Sequence, residues 1–210
     1  YCRLPVRCLS FEAMRIVSWN IRAGGGKRHH GIYQQIVEWN PDVVALSEFR
    51  GTPASQNLAH LLHQTGWCYQ VQTIDEDHRA TNALLTASKY PVERLNIPDQ
   101  PRSPQRWLAL RINHQQSLVL VNMHIPNAAS GYKYPYYESV LQVVKNWDLG
   151  PAILIGDTNS GKQVDMNGGI WKREQAWMEA IENQGWVDAY RDLYPKGRDC
   201  SWSSHKHNGF

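Results

Sequence analysis

Polar residues stand where apolar, strand-like runs stop. Asn20 follows RIVSW, Glu48 follows DVVALS, and Asp157 with Asn159 follows AILIG. In sheet proteins such positions collect sites, because the strand holds the residue still while the backbone beyond it is free to face a ligand. Carboxylates and carboxamides there supply oxygen acceptors and N–H donors. Singly, Asn20 reads as a turn residue, Glu48 as a solvated acid and Gly156-Asp157 as a turn dipeptide. The three strand ends together point to one site.

Other chemistry-bearing stretches have plainer readings. GGGKRHH, from Gly24 to His30, invites comparison with a nucleotide-binding phosphate loop. That loop needs Gly five residues before its Gly-Lys and Ser or Thr after it, and these places hold Ile21 and Arg28. Lys27 and Arg28, on the loop after the first strand, are weaker candidates for contact with a phosphate backbone, and a solvated loop is the reading expected of them. The stretch Tyr132, Lys133, Tyr134, Tyr136 and Tyr137 offers rings on which bases stack, although half of these residues suit a helix core. His205-Lys206-His207 has spacing able to hold a metal, but no neighbouring cluster completes it, and an exposed loop is expected.

The elements that must position these residues alternate. RIVSWN is β-rich and ends in three glycines, which break regular structure. Ile32, Ile36 and Val37 suggest a helix before Asn40-Pro41, and DVVALSEF reads as a buried strand. A helix near Ser55 to Gln64 follows, then strands at Cys68 to Thr73 and Asn82 to Ala87. Two β-rich runs between Trp107 and His124 flank a polar turn and predict a hairpin that delivers His124 to a strand end. Pro135 is placed as the first residue of a helix burying Tyr137, Val140, Leu141, Val144 and Trp147. After the strand PAILIGD comes a helix over Arg173 to Asn183, with Trp177, Ala180 and Ile181 inward and Gly185 closing it. Such a pattern predicts an α/β domain of mixed sheets covered by helices.

Composition narrows the class. The chain of 210 residues is 42% hydrophobic and 20% charged, the balance of a globular domain, and no run nears the ~20 apolar residues of a membrane span. The four cysteines, Cys2, Cys8, Cys68 and Cys200, lack the spacing of a zinc cage or a disulfide framework. A reducing cytoplasm is the expected location. A net charge of +3 permits a polyanionic partner without demanding one. Residues 1–13 have no long apolar segment and are expected to be a dispensable extension, with Met14 as the natural start.

The ordered motifs SWNI (Ser18 to Ile21), PDVVALSE ending at Glu48, HIPN (His124 to Asn127), GDTN (Gly156 to Asn159) and WVDAYR (Trp186 to Arg191) carry a family resemblance. Together they resemble the endonuclease/exonuclease/phosphatase superfamily, from Met14 to Phe210. One motif alone would recur by chance; the series is specific. The resemblance implies a four-layered αββα sandwich of two mixed sheets flanked by helices. It makes Glu48 the carboxylate of a Mg2+ site, with Mn2+ as a substitute, and Asn20 a second metal ligand or phosphate contact. Asp157 would orient or deprotonate the attacking water, Asn159 would donate to the phosphoryl oxygens, and His124 would contact the scissile phosphate. The implied reaction is in-line attack of water on phosphorus.

Nucleic acid, DNA or RNA, is the expected substrate, with Lys27, Arg28, Asn127 and Tyr132 as contacts, and the protein is expected to be a monomer. The alternatives are a phosphatase or phospholipid phosphodiesterase acting on a phosphorylated small molecule or lipid, or a non-catalytic nucleic-acid or protein-binding module. One departure stands at the end. SWSSHKHNGF resembles the approach to a family strand carrying Gly-aromatic-Arg-Ile/Leu-Asp, followed further on by Ser-Asp-His. The expectation is that residues 14–210 form a domain truncated at its C-terminal strands and incomplete for catalysis as given.

Overall fold

A computed structural model describes residues 13–162, 172–197, 202–203 and 208–209. Strand β1 (Ile16–Asn20), helix α1 (His29–Trp39) and strand β2 (Val43–Phe49) form a first β-α-β unit, its two strands parallel. Helix α2 (Pro53–Gln64) follows. Then β3 (Tyr69–Gln72) and β4 (Ala83–Ser88) complete a four-stranded sheet in the order β1-β2-β4-β3. The second sheet has the order β5-β6-β7-β8, made of β5 (Val92–Leu95), β6 (Trp107–Ile112), β7 (Leu118–His124) and β8 (Ala152–Asp157). Helix α3 (Lys133–Lys145) joins β7 to β8, which are also parallel. Each sheet therefore contains one parallel pair linked by a crossover helix.

Alternation along the strands sorts side chains between the layers. Val44 and Leu46 of β2 face Ile32 and Ile36 of α1 and Leu58 and Leu62 of α2. Val119, Val121 and Met123 of β7 face Tyr136, Tyr137, Val140 and Val144 of α3, together with Trp177 of α4 (Lys172–Glu182). The opposite faces meet each other, Val43 packing with Ile112 and Leu120, and Leu84 with Leu108 and Leu110. This is the expected four-layered αββα sandwich. DVVALSEF is almost wholly apolar because both faces of β2 are covered. Asn122 crosses the inter-sheet layer, its Nδ2 donating to Leu85 O at 3.3 Å and Thr86 Oγ1 at 3.2 Å.

Some boundaries differ from expectation. Pro135 is the third residue of α3 rather than the first. The first turn's N–H groups have no partner within the helix, so a proline there breaks no bond. Strand β5 went unpredicted because it is an exposed edge bearing Glu93 and Arg94, and charge on an edge hides the strand pattern while guarding it. Helix α5 (Ala189–Leu193) also went unpredicted. It is short and is capped by Asp188, whose Oδ1 accepts from Arg191 N at 3.1 Å. Near the end, β9 (Trp202–Ser203) pairs antiparallel with β10 (Asn208–Gly209). No helix among the described residues is long and apolar enough to cross a membrane. Cys68 is a free, exposed thiol, whereas Cys2, Cys8, Cys200 and His205-Lys206-His207 lie outside the described residues.

Candidate active site

Parallel pairing brings C-terminal strand ends side by side, and the two sheets touch each other along β1, β2 and β8. The carboxyl ends of β1, β2, β7 and β8 consequently meet at one edge of the sandwich. Asn20 ends β1, Glu48 lies one residue from the end of β2, His124 ends β7 and Asp157 ends β8. The site grows from two halves, one on each sheet.

In the first half the chain is bent to present Glu48. Ser47 pairs with Leu84 and Phe49 with Ala83, so Glu48 is the extra residue of a β-bulge, with φ of 55°. Bulges next to sites re-aim a side chain in this way. A loop then closes over it. Arg22, Ala23, Gly24, Gly25 and Gly26 all have positive φ, between 48° and 74°. Each non-glycine in that region costs roughly 1–2 kcal/mol, so the turn must be held by what it contacts. Ala23 N donates to Glu48 Oε2 at 2.8 Å and Gly24 N to Glu48 O at 2.7 Å. The glycines are needed for room as well: a Cβ on Gly24 would stand 2.6 Å from Ser55 Oγ.

Asn20 joins the halves. Its Nδ2 donates to Glu48 Oε1 at 3.0 Å and to Asp157 Oδ2 at 2.7 Å. One amide group thereby uses both of its hydrogens on two carboxylates. Its Oδ1 accepts from Arg22 N at 2.9 Å. Burial pushes Glu48 upward, but the N–H of Ala23, the amide of Asn20 and the nearby His124 and Arg50 outweigh it. The carboxyl is held below its usual range and is ionised at neutral pH.

In the second half, His124 and Asp157 are direct partners across the parallel ladder, with His124 Nε2 4.0 Å from Asp157 Oδ2. The approach is possible only because residue 156 is glycine: its φ is 133°, and a Cβ would lie 1.9 Å from Met123 O. Asp157 Oδ1 accepts from Asn159 N at 2.9 Å, closing an Asx turn. Asn159 takes φ of 47°, and its Nδ2 donates to Ile125 O at 2.7 Å. His124 is buried. Burial and then Arg106 push its pKa down against the pull of Asp157 and Glu48, so the imidazole is neutral near pH 7.

Arg106 was not singled out by the sequence. It precedes β6, and its Nη1 donates to His124 O at 3.4 Å. An isolated arginine before a strand leaves no signal until the fold places it beside two carboxylates. Glu174 left no signal for the same reason, being an ordinary charge on an amphipathic helix, and Lys133 entered only as part of the aromatic stretch, without its partner. The weaker expectations separate. Lys27 is exposed; Arg28 spends its guanidinium on Ile21 O at 2.8 Å and Arg22 O at 3.0 Å. Asn127 caps the turn Ala128–Ser130. Tyr132 is 69% exposed, while Tyr136 and Tyr137 are core.

A model of the endonuclease/exonuclease/phosphatase family matches residues 17–209, a span that contains every strand end just described. The chain belongs to that family. It is 25% identical over 231 residues to exodeoxyribonuclease III of Haemophilus influenzae, covering 94% of this chain and 82% of the relative. Two solved structures share the family fold, each at 18% identity and covering 92% of this chain. One is an AP endonuclease from Archaeoglobus fulgidus, with a TM-score of 0.74 and 79% of its chain covered. The other is a 3′ phosphatase from Neisseria bound to a product DNA hairpin, with a TM-score of 0.71 and 80% covered. At that identity the likeness shows the fold. Membership makes the chain one of a family of nucleases and phosphatases.

Proposed function

We propose that the chain is a divalent-metal-dependent hydrolase of phosphoesters in nucleic acid, with DNA as the substrate favoured by its relatives. The observation that carries this reading is the bridging of Glu48 and Asp157 by the single amide nitrogen of Asn20, beside a buried neutral histidine. A pair of carboxylates at the edge of a sheet sandwich suits a hard cation. Among the described residues no group of three His, Cys, Asp or Glu side chains is arranged to hold a metal. The two carboxylates that are present suit Mg2+, or Mn2+ in its place, which takes one or two carboxylates and leaves other positions to water and phosphate oxygens. Glu48, ionised and fixed, would be the principal ligand, with the free lone pair of Asn20 Oδ1 beside it. When bound, the ion would stabilise negative charge gathering on the phosphate.

The protein's own groups supply the rest. Asp157, anchored by Asn20 and by Asn159 N, is placed to orient a water and accept its proton. Asn159 uses one amide hydrogen on Ile125 O, which leaves the other for a phosphoryl oxygen as charge builds. Neutral His124 can donate a hydrogen bond toward the scissile phosphate, and Arg106 adds positive charge next to it.

The experiment is a substrate panel for the full-length protein with Mg2+: a duplex with an abasic site, single-stranded DNA, DNA with a 3′ phosphate, RNA and inositol phosphates. DNA hydrolysis abolished by a chelator is expected, with Asn159→Ala slowing turnover by about 100- to 1,000-fold. The Neisseria structure, a phosphatase bound to DNA, makes the terminal phosphate the arm that decides between bond types. Hydrolysis of inositol phosphates without action on DNA would replace this reading with that of a small-molecule phosphatase.

A further inference from the structure

Two charged residues away from the strand ends are almost wholly buried. Lys133 on α3 is 2% exposed and Glu174 on α4 is 6% exposed. Lys133 Nζ donates to Glu174 Oε1 at 2.9 Å. Removing both charges from water costs more than their attraction readily returns, so such a pair is weak evidence for stability and invites another explanation. The ammonium makes a second contact that supplies one: Nζ donates at 2.7 Å to the backbone oxygen of Asn159.

Asn159 needs holding. With φ of 47° it sits in the left-handed region, which a non-glycine keeps only where its surroundings fix it. Its N–H is taken by Asp157 and its side-chain amide by Ile125 O, and Lys133 takes the carbonyl. The next residue, Ser160, is gripped from the same two helices. The Tyr137 hydroxyl bonds the Ser160 hydroxyl. Tyr137 in turn stacks on Trp177 with ring centroids 4.2 Å apart, and Trp177 Nε1 donates to Tyr137 O at 3.1 Å.

We propose that the buried Lys133–Glu174 pair is a positioning device that fixes the Asn159 carbonyl, and through it the aim of the Asn159 side chain, without touching substrate. This rests on the reading of Asn159 as a donor to the phosphoryl oxygens. At 2% exposure Lys133 is too enclosed to meet a nucleic-acid phosphate, and its ammonium donates to Glu174 and to Asn159 O.

The test uses the full-length protein carrying Lys133→Met together with Glu174→Met, which removes both members of the pair at once, with Glu174→Gln as a milder companion. Two readouts are taken: steady-state kinetics with Mg2+ and the hydrogen exchange of the Asn159 amide. In the paired variant kcat should fall by about 10- to 100-fold with KM within about twofold, the signature of a misaimed group rather than of weakened substrate binding. Exchange at Asn159 should quicken while amides in β7 keep their protection. Adding Asn159→Ala should cost little more, since the two changes remove one function. Unchanged Asn159 exchange in a folded variant would overturn the proposal. So would a raised KM with kcat kept, which would make Lys133 a substrate contact. If exchange quickens while Asn159→Ala alone leaves the rate intact, the pair holds the loop but the role given to Asn159 is wrong.

Discussion

The two halves of the site solve one problem by opposite means. On the first sheet, Glu48 is held by its neighbours' backbone: a bulge turns it outward and a left-handed loop lays N–H groups on it. On the second sheet, Asn159 is held by a side chain from a helix distant in sequence, Lys133 directly with Glu174 behind it, while Tyr137 holds the neighbouring Ser160. Backbone holding needs glycine and tolerates exposure, as the rim position of Gly26, Lys27 and Arg28 shows. Side-chain holding needs burial, because a lysine fixes a carbonyl firmly only where water does not compete. The halves should therefore fail differently when perturbed.

The largest effect should come from Gly156→Ala. Its Cβ would meet the Met123 backbone oxygen at 1.9 Å, and neither strand can yield without opening the β7–β8 ladder. A loss of about 4 kcal/mol or more is expected, seen as a melting temperature lowered by roughly 8 °C or more. A melting point near wild type would mean that the two strands are not so close.

Gly24→Ala strikes the other half more gently. The new methyl meets the end of a side chain, Ser55 Oγ, and the backbone must keep a φ of 74°. About 1–2 kcal/mol is expected, or roughly 2–8 °C. Because the loop carries the N–H donors of Glu48, Mg2+-dependent turnover should fall with it. A stability loss without a rate loss would separate the loop from the site and break the comparison.

These two halves also differ in how far the sequence reveals them. The first was legible: three glycines after a β-rich run announce an irregular loop, and an apolar run ending in Glu48 announces a buried strand with a polar tip. The approach of Asn20, Glu48, His124 and Asp157 was legible only as convergence at strand ends, because the parallel register that pairs His124 with Asp157 is a property of the assembled sheet. The supports of the second half were not legible. Lys133 and Glu174 are 41 residues apart, and each sits on a helix where a charge ordinarily faces water. Pro135 misled at the start of the same helix. A proline suits any place in a first turn, so it marks the turn without marking the residue.

The smallest expected effect is at the rim. Replacing both Lys27 and Arg28 with Ala should flatten the salt dependence of DNA binding, with a slope change of about one for each phosphate no longer neutralised. Since Arg28 is already engaged with Ile21 O and Arg22 O, most of the change should come from Lys27. Single variants read in a filter-binding series would sharpen this. An equal contribution from both would show that Arg28 turns outward when nucleic acid arrives.

The central claim is that Glu48, presented by its bulge between Asn20 and the left-handed loop, holds a catalytic divalent ion. It is tested most directly by titrating Mg2+ into the full-length protein and its Glu48→Gln variant in a calorimeter, with hydrolysis of a DNA phosphodiester followed in the same buffer. The glutamine keeps the shape and removes the charge. The account predicts an unchanged fold, Mg2+ binding weakened by about tenfold or more, and hydrolysis reduced to background. Full Mg2+ affinity in the variant, or turnover near wild type, would contradict it and move the metal away from Glu48.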